Sequence, residues 1–201
     1  MQDRREAIVD AGLGVLREHG FVGFTQPRVA ARAGLRQSHI TYYYPTRLDL
    51  LAAVGRAAVD RQLAAVESMF AASLTPADIG RAIADLVTRH ENTRVLLALV
   101  QAGDEEPKLR ELFRELVDGI VLHASAYFAR LHGQPPNQDL ARFLHAVSVG
   151  LAVVDLATGR PDGKQRAAGV LETALRLMMG TSNPVGPPSL DASAGANGDR
   201  K

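Results

Sequence analysis

Thr25-Gln26-Pro27-Arg28-Val29-Ala30-Ala31-Arg32-Ala33-Gly34-Leu35-Arg36-Gln37-Ser38-His39-Ile40-Thr41-Tyr42-Tyr43-Tyr44-Pro45-Thr46-Arg47 is the stretch on which the reading of this chain turns. Its spacing predicts two short helices joined by a tight turn, then the start of a third. Thr25 can cap a helix by accepting from a free backbone N–H, and Pro27 suits a first turn where no N–H partner is needed. Val29, Ala30, Ala31 and Ala33 give that helix a small-residue face, so a second helix can pack close to it. Gly34 falls where the chain must reverse, a place that often needs positive φ, and Leu35 follows as a plug between the two helices. The next turn carries Arg36, Gln37, Ser38 and His39, with Ile40 as its one large apolar residue. In a helix-turn-helix the second helix enters the major groove, and polar side chains of this kind at its N-terminal end meet base edges.

Working outward, further residues join the pattern: Arg5-Glu6-Ala7-Ile8 with Ala11, Gly20-Phe21, Thr25, Val29-Ala30 with Ala33-Gly34-Leu35, and Tyr43-Tyr44-Pro45-Thr46-Arg47 with Leu50-Leu51. Together they resemble the N-terminal domain of TetR-type transcriptional regulators over roughly the first quarter of the chain. Three positions depart from that family's commonest pattern: Thr41 stands where Tyr is usual, Tyr44 where Phe is usual and Arg47 where Lys is usual. The resemblance implies DNA binding by a homodimer, a small effector held within a second helical domain, and pairing of the last two helices with those of the partner subunit.

Composition narrows the field. The chain has 201 residues, long enough for one globular unit or two small ones, with 23 basic and 22 acidic residues and a net charge of +1. Residues 1–50 hold seven Arg against five acids, and Arg28, Arg36 and Arg47 cluster around the proposed reading helix. The absence of cysteine excludes disulfides, thiolate catalysis and Cys-based zinc sites. No apolar leader precedes the first helix, and no segment reaches the ~18 uninterrupted apolar residues of a membrane span. A cytoplasmic protein without membrane attachment is expected.

Hydrophobic periodicity predicts an all-α fold of about nine helices. Residues 4–19 place Ile8, Ala11, Val15 and Leu16 on one face and Arg4, Arg5, Asp10, Arg17 and Glu18 on the other. After the helix-turn-helix at about 25–44, Thr46 and Asp49 read as a capping box opening a helix that runs to about residue 72. The free N–H groups at that start, with Arg47 beside them, would seat a phosphate. Thr75-Pro76 opens a helix with His90 placed at the end of its apolar stripe, and residues 93–102 are apolar nearly all round. Pro107 begins a long helix, followed by helices at about 138–158 and 163–179. Three parts are expected: a helix-turn-helix DNA-binding domain at 1–50, a helical ligand-binding and dimerisation domain at 51–180, and a disordered tail at 181–201 whose composition cannot bury enough apolar area to offset ordering.

Catalysis finds little support, and no metal or cofactor is expected. The six His show no metal-ligand spacing, and there is no Gly-rich phosphate loop or G-x-S-x-G. A phosphotransfer bundle using His90 or His145 lacks an obvious acidic partner for either. A binding cavity fits better, because His90, Gln101, Ser125, His145, Ser148 and Asp155 interrupt apolar faces. Each must be satisfied by a neighbouring helix, water or a ligand. His90, Gln101, Phe113, Val117 and His145 are the lining candidates by periodicity.

The expected function is a sequence-specific transcriptional regulator, a repressor released by a small molecule, bound to a near-palindromic double-stranded operator as a homodimer through helices 138–158 and 163–179. Gln37, Ser38, His39 and Tyr42 are the base-edge candidates. Thr25, Arg28, Tyr43, Thr46 and Arg47 are the phosphate candidates, with Arg36 beside them. The alternative is a helical protein–protein adaptor whose helix-turn-helix is only a packing device.

Overall fold

The structure is a computed structural model that describes residues 3–72, 75–133 and 135–180. The expected disordered tail, 181–201, lies outside the described residues. Among the described residues there are nine α-helices and no strand: α1 (Arg4–Gly23), α2 (Gln26–Ala33), α3 (Gln37–Tyr43), α4 (Arg47–Ala71), α5 (Pro76–Val87), α6 (His90–Ala102), α7 (Pro107–His132), α8 (Gln138–Thr158) and α9 (Gly163–Gly180).

Most boundaries follow from local chemistry. Gly20, at φ 64°, breaks α1 at the point where its regular turns end. Gly34, at φ 65°, closes α2 in the left-handed conformation, and its N–H and that of Leu35 return to carbonyls of Ala30 and Ala31. Thr46 and Asp49 form a capping box at the start of α4, and Thr75 and Asp78 form another at the start of α5. One expected boundary is wrong. α5 ends at Val87, and His90 opens α6 instead of closing the stripe before it.

Two apolar cores run through the molecule. The first joins α1–α4 to α6 and the start of α7, through Ile8, Leu13, Leu16, Phe24, Val29, Ile40, Leu50, Val54, Leu99 and Leu109. The second joins the far end of α4 to α5, α7, α8 and α9, through Phe70, Ile79, Phe128, Leu144 and Leu171. Packing is therefore continuous across residue 50, because α6 and α7 complete the core that the first three helices begin. Helix α4 spans both cores. Its approach to α7 is close enough that a Cβ on Gly119 would lie 2.5 Å from Leu63 Cδ2. The Arg56–Glu115 ion pair, at 2.6 Å, ties the same two helices at the surface.

Helix α8 has the length and mean hydropathy, 1.6 over an 18-residue window, of a membrane-crossing segment, although only 17% of that window is buried. Charged and polar residues at Arg142, His145 and Asp155 interrupt it. Phe143 and Val154 on it, and Val170 and Leu177 on α9, are exposed apolar residues.

Candidate nucleic-acid interface

The reading helix α3 has one anchored residue and a free polar side. Ile40 is fully buried in the first core, whereas Gln37, Ser38 and His39 are exposed in the first turn and Tyr42 is 81% exposed. A seven-residue helix is marginal alone, so its position depends on the neighbours that clamp it. Gln26 Nε2 donates to Tyr44 O at 2.7 Å, closing the end of α3 from α2. The Thr41 hydroxyl donates back to the carbonyls of Gln37 and Ser38, at 3.3 and 3.2 Å, so Thr41 supports its own helix and offers no ring to a ligand. Tyr43 is half-buried against the core; Tyr42 meets it edge-on at 5.1 Å, and the Arg5 guanidinium lies 5.6 Å from its ring centre.

The flanking residues divide into free and committed groups. Arg36 is exposed and makes no ion pair among the described residues. Thr25 caps α2, its hydroxyl oxygen accepting from Arg28 N at 3.4 Å, while Arg28 Nη1 donates to Gly23 O at 3.0 Å and the rest of that side chain faces outward. The Thr46 hydroxyl donates to Asp49 Oδ2 at 2.7 Å and accepts from Asp49 N at 3.0 Å. Those bonds hold the Asp49 carboxyl below the usual carboxylate range. A carboxylate thus sits where a phosphate seat was expected.

Arg47 requires a correction. Expected to face phosphate, its guanidinium instead turns inward: Nε donates to Phe24 O at 2.8 Å, Nη2 donates to Phe21 O at 2.6 Å, and the Phe21 ring lies 4.3 Å from the guanidinium carbon. These carbonyls lie at the C-terminal end of α1, past the break at Gly20; Phe21 O also accepts from Phe24 N at 3.2 Å, so Arg47 adds a second donor there. Arg47 is a strut between α1 and α4.

Helix α2 is held from the other side. Arg32 Nη1 pairs with Glu18 Oε1 at 2.7 Å and holds that carboxyl below its ordinary range. The guanidinium lies over Gly14, where a Cβ would come within 2.3 Å of Arg32 Nε.

A second feature lies inside the bundle, a cavity of about 320 Å³ between α1, α4, α5, α6, α7 and α8. Of the five lining candidates, Val117 and His145 are on its wall and three are not. Gln101 is exposed on α6, Phe113 lies elsewhere on α7, and His90 Nε2 bonds Asp155 Oδ2 at 2.9 Å. Asp155 is also the acidic partner that His90 was expected to lack. Most interrupting polar groups are satisfied locally: Ser125 Oγ donates to Leu122 O at 3.0 Å and Ser148 Oγ to Leu144 O at 2.7 Å. His145 makes no hydrogen bond among the described residues, and burial pushes its pKa below the ordinary imidazole value so the neutral form faces the cavity at pH 7. Sequence reasoning missed Arg17, Arg61, Arg89, Asn92 and Thr93 on this wall, and Arg5 beside the reading helix. Arg17 had been placed on the solvent face of α1, and only the packing of α1 on α6 reverses that reading.

Comparison with known proteins agrees with this geometry. Residues 8–54 match the sequence profile of bacterial regulatory proteins of the tetR family. The HTH-type transcriptional regulator CymR of Pseudomonas putida is 30% identical over 115 residues, covering 55% of this chain and 56% of that protein, so the chain spans just over half the length of this curated relative. Among solved structures, a transcriptional regulator from Rhodococcus sp. aligns with a TM-score of 0.75 at 23% identity, over 88% of this chain and 96% of that one. A TetR-family regulator from Mesorhizobium loti aligns with a TM-score of 0.77 at 12% identity, over 88% and 95%. The multidrug binding protein EbrR, complexed with imidazole, aligns with a TM-score of 0.63 at 24% identity, over 87% and 96%. At these identities the structural likenesses concern the fold. Residues 8–54 therefore carry a helix-turn-helix domain similar to that of the tetR family of bacterial regulatory proteins.

Proposed function

We propose that this protein is a sequence-specific DNA-binding transcriptional regulator of the cytoplasm, a repressor that holds a near-palindromic operator as a homodimer and is released by a small molecule. The observation that carries the reading is α3 itself: a short helix pinned by buried Ile40 behind the Gly34 turn, with Gln37, Ser38, His39 and Tyr42 presented outward. Polar side chains on the free side of a clamped helix suit base-edge contact in the major groove. Arg36, the outward part of Arg28, Thr25 and Tyr43 are the proposed phosphate contacts, and Thr46 and Arg47 support them from behind through Asp49 and α1. The division of tasks into residues 1–50 and 51–180 is part of the proposal, with α4 shared between them.

Dimerisation is supported by the apolar side of α8 and α9. Phe143, Val154, Val170 and Leu177 are about half exposed or more, and they recur at seven- and eleven-residue spacings with Gly150 and Gly169 among them. A Cβ at either glycine would meet nothing within 4 Å, which leaves room for a second pair of helices. Exposed apolar residues of this kind suit an interaction face, and self-association through it gives the two-fold symmetry that a palindrome requires.

Release by a ligand is supported by the cavity, whose wall includes residues of α1 and α4. A ligand that binds better when these helices sit in a non-DNA-binding arrangement shifts the population away from the operator complex. The test of the interface is Gln37→Ala. An adenine contact through two hydrogen bonds is worth about 1–3 kcal/mol of discrimination, so the variant should lose about tenfold or more in preference for its selected site in fluorescence anisotropy. Its affinity for unrelated duplex should stay within twofold. Equal loss on every duplex would remove Gln37 from the base edges.

A further inference from the structure

The cavity wall is chemically one-sided. Three arginines, Arg17, Arg61 and Arg89, are among the residues that line it, and no Asp or Glu is. Arg61 is neutralised from outside the cavity by its ion pair with Asp10. Arg17 is different. Its Nε is buried without a hydrogen-bond partner, and no carboxylate pairs with it among the described residues. Arginine stays protonated throughout the accessible pH range, so this donor cannot escape by losing its proton. A buried donor left unmade is costly, and an acceptor bound in the cavity would serve it.

The surroundings narrow the occupant. Asn92 and buried Thr93 of α6 add uncharged polar groups to the wall, while Leu13, Val59, Val66, Leu99, Ile120 and Leu144 supply aliphatic surface. The backbone of Arg17 is fixed as well, since Arg94 Nη1 of α6 donates to Arg17 O at 3.2 Å. An organic cation would meet the unpaired Arg17 and no carboxylate on the wall, and a neutral apolar compound would leave Nε unserved.

We infer that the cavity receives a small organic anion, an apolar body bearing one acid group, and that Arg17 of α1 takes the acid group. This rests on the reading of the chain as a ligand-controlled regulator and adds the ligand's charge and its point of attachment. Because α1 also carries Ile8, Leu13 and Leu16 into the core beneath the reading helix, the anion engages the DNA-binding unit directly, without a relay through α5, α8 or α9. A change in the position of Arg17 is then a change in the position of α1.

The test uses the full chain and two fluorescent probes with the same kind of apolar body: the sulfonate 8-anilinonaphthalene-1-sulfonate and its neutral counterpart N-phenyl-1-naphthylamine. The sulfonate should bind at least tenfold tighter than the amine. Arg17→Met should abolish that preference by weakening the sulfonate about tenfold or more while leaving the amine unchanged. Arg17→Lys should retain part of the preference, and Arg61→Met, whose charge is already paired with Asp10, should retain most of it. Circular dichroism verifies folding of each variant; if Arg17→Met does not fold, the Lys and Arg61 variants still decide the matter. No sulfonate binding, equal affinity for the two probes, or parallel weakening of both by Arg17→Met overturns the inference. Affinity for a duplex selected from a random pool is measured on the same samples. Failure of the wild-type chain to bind DNA while keeping its anion preference would strike the regulator reading and not the assignment of Arg17.

Discussion

The double variant Val154→Glu with Leu177→Glu is expected to fold as a monomer and to lose at least a hundredfold in affinity for its selected DNA site. Both side chains are largely exposed in the single chain, 53% and 65%, so the substitutions meet solvent and disturb neither core. In a dimer built on α8 and α9 the same positions are covered, and two carboxylates per subunit would be taken out of water without partners. Burying an unpaired charge is strongly unfavourable, so the subunits separate instead. A lone subunit keeps one reading helix and one set of phosphate contacts. Specific sites held at about 10⁻⁸–10⁻¹¹ M are typically 10³–10⁷ tighter than non-specific binding, and half of a two-fold site cannot retain that margin. Sedimentation velocity reads the assembly and fluorescence anisotropy reads the DNA. A double variant that remains dimeric at micromolar concentration would move the interface away from these helices.

Arg47→Ala is expected to lower the melting temperature by roughly 6–12 °C while changing the salt dependence of DNA binding little. Its guanidinium serves two carbonyls, Phe24 O at 2.8 Å and Phe21 O at 2.6 Å, and packs on the Phe21 ring. A hydrogen bond to a charged group is worth about 1.5–3 kcal/mol. Arg47 is only partly buried, so the pair together is set at about 3 kcal/mol, and one kcal/mol moves the midpoint by roughly 2–4 °C in a domain of this size. Thermal melts by circular dichroism measure the first effect and anisotropy titrations at several salt concentrations the second. A residue bound to phosphate would give the opposite pattern, with an unchanged melt and a slope of log affinity against log salt reduced by about one. That result would return Arg47 to the DNA surface.

The contrast between Arg47 and Thr46 shows what the sequence makes legible. Thr46 and Asp49 cap α4 as read, because a capping box is a bargain between residues three apart and depends on nothing distant. The same locality makes Gly34 readable as the turn and Ile40 as the buried side of α3. Arg47, by contrast, answers to carbonyls 23 and 26 residues earlier, at the end of α1, and no local pattern announces that acceptors wait there. The cavity was harder still. Periodicity marks a stripe as buried without saying which helix covers it, so Phe113 and Gln101 fall on faces that do not meet the cavity. Arg17 reads as solvent-facing in the sequence because its partner helix, reached through Arg94, lies 77 residues away. His90 failed for a smaller reason. The boundary between α5 and α6 at Thr88 and Arg89 carries no Pro, Gly or capping side chain to reveal it.

Selection of bound sites from a pool of random duplexes, using the full chain, tests the central claim most directly. The outward placement of Gln37, Ser38, His39 and Tyr42 on a two-fold dimer predicts enrichment of a near-palindrome whose half-sites lie about one helical turn or more apart. Recovery of no sequence beyond the starting pool, from a chain that sediments as a folded dimer, would contradict it and leave a helical adaptor as the better description.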